Sequence, residues 1–289
     1  MGVGTVAPRR LGGRSRRASL GLHAMLVGAV AIALLPVVWL GLSSFKHEED
    51  INSPELQPIP PDWTLENYDR VLTGNDAEFL GWLVNSTVIA LFTTVASLFL
   101  AATAAYAFSR YRFPGYRPAL TSFLITQMFP GAILVVPIFT IMVKLDLLNS
   151  KLALVLAYAT VAVPFCVWML KGYFDTIPIS IEEAGRVDGL TPFGTFWRIV
   201  VPLSVPGIAV TAFYAFITAW NEVLFANVLL VDNDSYTLPL GLRTYVSQTE
   251  IHYELLSAGA VLVTIPAVLV FLLAQRYLVA GLTRGGVKG

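Results

Sequence analysis

Pro178-Ile-Ser-Ile-Glu-Glu-Ala-Gly-Arg-Val-Asp-Gly-Leu-Thr-Pro-Phe-Gly-Thr-Phe-Trp-Arg-Ile-Val-Val-Pro202 lies between two strongly apolar runs and carries its own punctuation. Ser180 with Glu183 three residues on predicts a capping box at a helix start. Gly189 then stands where the helix ends in a left-handed residue. Thr191 as N-cap and Pro192 as first helical residue open a second helix, which Pro202 is expected to stop. Phe193, Phe196, Trp197, Val200 and Val201 recur at helical spacing, so the second helix has an apolar face that needs support. Two uses fit such a hairpin: it lies on a membrane surface, or it docks a soluble partner.

The surroundings are those of a membrane protein. Of 289 residues, 56% are hydrophobic and 13% charged, where a soluble domain carries about 25% charge. Basic and acidic residues balance at 19 each, so charge distribution is more informative than the sum. Cys166 is the single cysteine, which excludes an intramolecular disulfide and a thiol metal site. His23, His47 and His252 have no companion at ligand spacing, and neither a metal nor a cofactor is expected.

Arg9, Arg10, Arg14, Arg16 and Arg17 precede an apolar run from about Leu22 to Leu42. That run exceeds the 7–15 residues of a signal peptide's apolar h-region, and no clear small-x-small cleavage site follows, which favours an uncleaved span. Runs of spanning length fall at about 22–42, 82–108, 119–143, 152–170, 204–230 and 255–275. The expectation is therefore an all-α protein of six spans, with a basic terminus at 1–21, a spanning domain at 22–280 containing the loop 171–202, and a tail at 281–289. Pro36, Pro130, Pro137, Pro164, Pro206 and Pro266 fall within these runs and predict kinks.

With the N-terminus inside, the inner segments hold those five arginines, Arg110, Arg112, Arg117, Lys171, Arg186, Arg198, Arg276, Arg284 and Lys288. The outer segments hold Lys46, Arg70, Lys144, Lys151 and Arg243. The positive-inside rule thus places both termini and the 171–202 loop in the cytoplasm. The acidic, proline-containing outer loop from Lys46 to Leu80 predicts a short amphipathic helix at Thr64–Leu72. A second outer loop, about 231–254, holds Asp232, Asp234, Tyr236, Tyr245, His252 and Tyr253 and reads as a contact loop or a plain connector.

An energy source is missing. No lysine follows glycine, so there is no phosphate-binding loop. Glu222 is the only carboxylate within an expected span, and insertion scales set about 2.5–3.5 kcal/mol against a charge at that depth. With Trp220 and Asn221 it either lines a solute path or bonds a neighbouring helix, and Gln127 beside Phe129-Pro130-Gly131 carries the same two readings. DNA is excluded as the hairpin's partner, since Lys171, Arg186 and Arg198 are outweighed by Asp175, Glu182, Glu183 and Asp188. A protein partner remains.

Glu183-Ala184-Gly185, then Gly189, then Ile199-Val200-Val201-Pro202 after nine more residues resembles the cytoplasmic EAA loop of binding-protein-dependent ABC importer permeases. Gly185 and Val201 replace that family's usual alanine and leucine. Lys171-Gly-Tyr-Phe-Asp-Thr-Ile177, Ser235-Tyr-Thr-Leu238 and Phe271-Leu-Leu-Ala-Gln-Arg-Tyr-Leu-Val-Ala-Gly-Leu-Thr-Arg-Gly-Gly-Val-Lys-Gly289 are similar to the smaller permease subunit of maltose/maltodextrin transporters, the MalG type. The resemblance runs from about residue 64 to the end.

It implies an inner-membrane, non-enzymatic transport subunit working with a homologous second permease, a dimeric cytoplasmic ATPase and an extracytoplasmic sugar-binding protein. Glu183, Ala184, Gly185, Asp188, Gly189, Phe196, Ile199 and Pro202 would then couple to the ATPase. Tyr236, Thr237 and Leu238 would reach the binding protein, and Gly285, Gly286 and Lys288 in the tail would touch the ATPase pair. Glu183 keeps two readings, a cap for its own helix or a contact. The alternatives from other classes are a self-sufficient secondary transporter or channel, and a membrane-anchored scaffold or sensor.

Overall fold

A computed structural model describes residues 16–55, 57–74, 78–246 and 251–285. Regular structure among them is helical, apart from an isolated antiparallel bridge between Val246 and Ile251. Four helices contain stretches long and apolar enough to cross a membrane: α1 (Arg16–Ser43), α3 (Glu78–Arg110), α6 (Lys151–Phe174) and α12 (Tyr253–Gly285). The short α2 (Glu66–Thr73) lies between the first two. Two bent pairs bring the number of candidate spans to as many as 6: α4 (Tyr116–Met128) with α5 (Gly131–Lys144), and α8 (Pro192–Leu203) with α9 (Val205–Trp220). Between α6 and α8 lies α7 (Ile179–Val187), and beyond α9 come α10 (Leu224–Leu229) and α11 (Leu238–Leu242).

The expected kink near Pro130 is a break of 104°. Phe129, as the residue before proline, is extended, so α4 ends there and Pro130 caps α5. The apolar run expected at 204–230 is also divided. Helix α9 stops at Trp220, α10 starts at Leu224, and at its other end α9 meets α8 through an 80° bend. By contrast Pro36, Pro137, Pro164 and Pro266 lie inside continuous helices.

Helices α3 and α6 form the central pair, α9 packs on both, and α12 joins α9 to α1. Small residues make that pair possible: Ala101, Ala105, Ala157 and Ala162 are fully buried, which lets backbones approach where the hydrophobic effect gives no help. At one end of the bundle Trp82, Leu154, Tyr158, Phe216, Trp220, Leu229 and Leu238 share a core. Toward the other end Cys166, Leu170, Phe174, Phe196 and Val200 form a second, beneath the 178–202 hairpin. The most apolar stretch of α1 is wholly unburied by the chain itself and touches chiefly α12.

The end remote from the hairpin is tied by side chains of α3. Asn85 Nδ2 donates to the carbonyls of Asp234 and Tyr236, Trp82 Nε1 to that of Asn233, and Ser86 Oγ accepts from Leu238 N at 2.7 Å. Helix α2 forms where an amphipathic helix is expected, and its buried Asn67 donates to the carbonyls of Ser44 and Lys46. Gly241 in α11 lets the chain pass over Trp82: a Cβ there would sit 2.2 Å from the indole. Gly241→Ala should destabilise the protein by about 1–3 kcal/mol through overpacking, read as a lower midpoint of thermal unfolding in detergent. An unchanged midpoint would show that the indole moves aside.

Candidate functional site: the 178–202 hairpin

The hairpin begins differently from the expectation. Pro178 is the N-cap of α7 and contributes no side-chain bond, while Ser180 is already inside the helix. Ser180 and Glu183 are both exposed, and Glu183 makes no hydrogen bond or ion pair to any described residue. The capping box is therefore not formed. Its failure follows from the earlier start of the helix at Ile179, which leaves Ser180 out of the N-cap position; of the two glutamates it is Glu182 that faces inward.

Glu182 is 1% exposed and meets the end of α3. Arg110 Nε donates to its Oε1 at 2.5 Å, and Tyr106 Oη donates to its Oε2 at 2.9 Å. Arg110 Nη2 continues to the carbonyls of Phe174 and Ile177, among the last acceptors of α6 and its following turn. Arg110 Nη1 reaches Ser109 Oγ, which donates to Asp175, and Asp175 is paired with Lys171. Three segments of chain thus converge on one guanidinium. The ring of Tyr106 packs between Phe174 and Phe196, extending the junction to α8.

The turn follows the sequence closely. Gly189 has φ +90°, Leu190 N donates to Gly185 O and Gly189 N to Arg186 O, the paired bonds of a Schellman helix end. Thr191 Oγ1 accepts from Gly194 N at 3.1 Å, and Pro192 opens α8. Helix α8 then widens. Phe196–Val200 is a π-helical segment in which Val201 N donates to Phe196 O, and the chain stays helical to Leu203. Pro202 does not stop the helix as expected. Lacking an amide hydrogen and crowding the carbonyl four residues back, it is accommodated by the wider turn before it, and the stop comes at Ser204.

Gly185, the first departure noted from the resembled motif, lies against Ile199: a Cβ would fall 2.4 Å from Ile199 Cδ1. Of the proposed coupling residues, Glu183, Ala184, Asp188 and Gly189 are exposed, while Gly185 and Phe196 are buried and Ile199 is half-buried. Val187 is 86% and Phe193 71% exposed, leaving two large apolar groups beside the turn mostly open to solvent among the described residues.

The other candidate residues are held separately. Gln127 is exposed and donates to Val161 O on α6. Trp220 is buried and stacked on Phe216 with ring centroids 5.4 Å apart, and Asn221 is exposed. Glu222 accepts from Leu224 N and Phe225 N through its carboxylate and so caps α10, and it also meets α6, where Tyr158 Oη donates to its carbonyl at 3.5 Å. Tyr236 is half-buried, whereas Thr237 and Leu238 are core residues. Gly285 ends α12, while Gly286 and Lys288 lie outside the described residues.

Sequence reasoning missed Tyr106, Arg110 and Glu182, although one signal was available. Glu182 shares a helix face with Gly185, and a basic residue ends the span that packs beside it. It also missed a meeting of Glu48, His252 and Glu254, whose ligand-type atoms lie within 4.8 Å of one another. Arg70 stands 3.7 Å from the same Glu254 oxygen and supplies the countercharge, so this group reads as an ion-pair cluster.

Residues 94–284 match the family described as binding-protein-dependent transport system inner membrane component. The chain is 36% identical to the inner membrane ABC transporter permease protein YcjP of Escherichia coli, with 93% of this chain and 96% of that one covered. It is 38% identical to the trehalose transport system permease protein SugB of Mycobacterium tuberculosis (90% and 94% covered). Identity to the maltose/maltodextrin transport system permease protein MalG of Salmonella typhimurium is 39% (92% and 93%). Among solved structures, a bacterial ABC transporter involved in import of the acidic polysaccharide alginate superposes with a TM-score of 0.78 at 26% identity, covering 92% of this chain and 98% of that one.

Gly189 and Glu183 make opposite predictions. Gly189→Ala should cost about 1 kcal/mol through the left-handed backbone, since open space surrounds the new Cβ, and amide exchange over 184–190 should accelerate roughly fivefold. Glu183→Ala should leave that exchange unchanged, because its carboxylate caps nothing. Equal acceleration in both variants would restore the capping reading of Glu183.

Proposed function

We propose, from the premise that this chain belongs to the family of binding-protein-dependent transport system inner membrane components, that it is the permease subunit of an ATP-driven importer of maltodextrin or a related oligosaccharide. It lies in the cell membrane with both termini in the cytoplasm, as the distribution of arginine and lysine supports. A second, homologous permease completes the pathway, a dimeric cytoplasmic ATPase supplies the energy, and an extracytoplasmic binding protein delivers the sugar. Relatives named for maltodextrin and for trehalose support an oligosaccharide as cargo.

The observation that carries this reading is the outward face of the hairpin. A helix closed by a Schellman turn at Gly189, followed by one capped by Thr191, presents Val187 and Phe193 to solvent with Glu183, Arg186 and Asp188 around them. An apolar centre rimmed by charges is the composition of a protein-docking surface. The ATPase is its partner, and closure of that partner on nucleotide drives the exchange of inward for outward access. Residues 281–289 contribute a further contact to the same partner, and the surface around Tyr236 faces the binding protein. No catalytic residue is needed in this chain.

The complete transporter reconstituted in vesicles should take up labelled maltodextrins only with ATP and binding protein present. Replacing Val187 and Phe193 together by glutamate should lower co-purification of the ATPase at least about tenfold, since two buried apolar anchors are each worth about 1.5–3 kcal/mol. Uptake by this chain alone, driven by a proton or sodium gradient, would overturn the proposal. A panel of competing unlabelled sugars identifies the cargo.

A further inference from the structure

We propose that Arg110 and Glu182 are a positioning pair that makes the hairpin, the end of α3 and the end of α6 one mechanical body, so that a push on the hairpin arrives at the spans without slack. This rests on the function proposed above. Neither side chain is available to a partner, being 6% and 1% exposed. Their role has to act through other groups.

The geometry is that of a junction. Covalently, α7 hangs from α6 by residues 175–178 alone. Arg110 bridges this short connector from the side: Nε holds the Glu182 carboxylate on α7, and Nη2 holds the carbonyls of Phe174 and Ile177 before and within the connector. Tyr106, one helical turn earlier on α3, holds the second carboxylate oxygen. The connector also has a second tie to α3, from Ser109 to Asp175. A planar guanidinium suits this position because its donors leave in several fixed directions at once, whereas a lysine ammonium is a single point on a flexible stem.

The two adjacent glutamates therefore divide the work. Glu182 fixes how the hairpin is held, and Glu183, exposed on the same helix, belongs to the surface that is offered. Loss of the buried member should loosen transmission while leaving the docking face in place.

The test uses the complete transporter in vesicles, with ATP hydrolysis and sugar uptake measured on the same preparation. Glu182→Gln keeps the shape of the side chain and removes its charge; Arg110→Lys keeps the charge and removes the fork. In each, sugar carried per ATP hydrolysed should fall at least about fivefold, the lower end of usual coupling between sites, with the ATPase still bound. A merely structural role lowers uptake and hydrolysis together and leaves their ratio alone. A wild-type ratio in both variants, whatever the total activity, overturns the proposal. If either variant fails to assemble, Tyr106→Phe, which keeps the ion pair and removes one hydrogen bond, gives the same ratio with the same two outcomes. Absence of ATP-driven uptake in the wild-type transporter would refute the proposed function instead, so the two failures are distinct.

Discussion

The carboxylate of Glu182 has been taken out of water and given back, within the protein, nearly everything water supplied. One oxygen accepts from Arg110 and the other from Tyr106, while the guanidinium spends its remaining directions on Ser109, Phe174 and Ile177. A buried pair with one partner removed typically costs about 3–5 kcal/mol, because the survivor keeps its desolvation penalty without compensation. That asymmetry makes the pair a constraint on everything around it. The rotation of α7 and the path of the 175–178 connector are both tied to these two charges, and Phe196 packs on the Tyr106 ring beside them.

Local chemistry was legible in the sequence and tertiary choice was not. Gly189 and Thr191 appear in the roles read for them because a left-handed helix end and an N-cap depend on residues within one turn. Ser180 and Glu183 have the spacing of a capping box, yet the box is absent because α7 already starts at Ile179, and it is Glu182 that turns inward to Arg110, far away in the chain. Of two neighbouring glutamates, sequence alone cannot say which one a distant arginine will claim. Thr237 and Leu238 teach the same lesson: they lie in a polar loop, and they are buried because Asn85 and Ser86 hold that loop down on α3. The spans themselves are read from composition over long windows and so survive such local surprises.

The interruptions in the apolar helices obey the bilayer's rule that backbone polar groups need partners inside the protein. Glu222 is the clearest case. Its carboxylate sits where α9 ends and α10 begins, and takes up amides that would otherwise have no acceptor. The charge that looked expensive as a path-lining group is thus explained by the break it closes. Phe129 and Pro130 make another interruption without such a donor trap, using the extended backbone that a following proline imposes.

The π-helical segment at Phe196–Val200 has a consequence for length. A wide turn takes up one residue more than an α-helical turn, and one residue corresponds to roughly 100° of rotation about the axis. Were the same residues wound as an unbroken α-helix, the surplus residue would instead swing the start of α8 round by that angle. Ile199 would leave the notch at Gly185, and Phe193 would point away from the side it shares with Val187. The wide turn is therefore a phase setting: by absorbing one residue without the rotation that residue would bring, it keeps the hairpin facing the way it does.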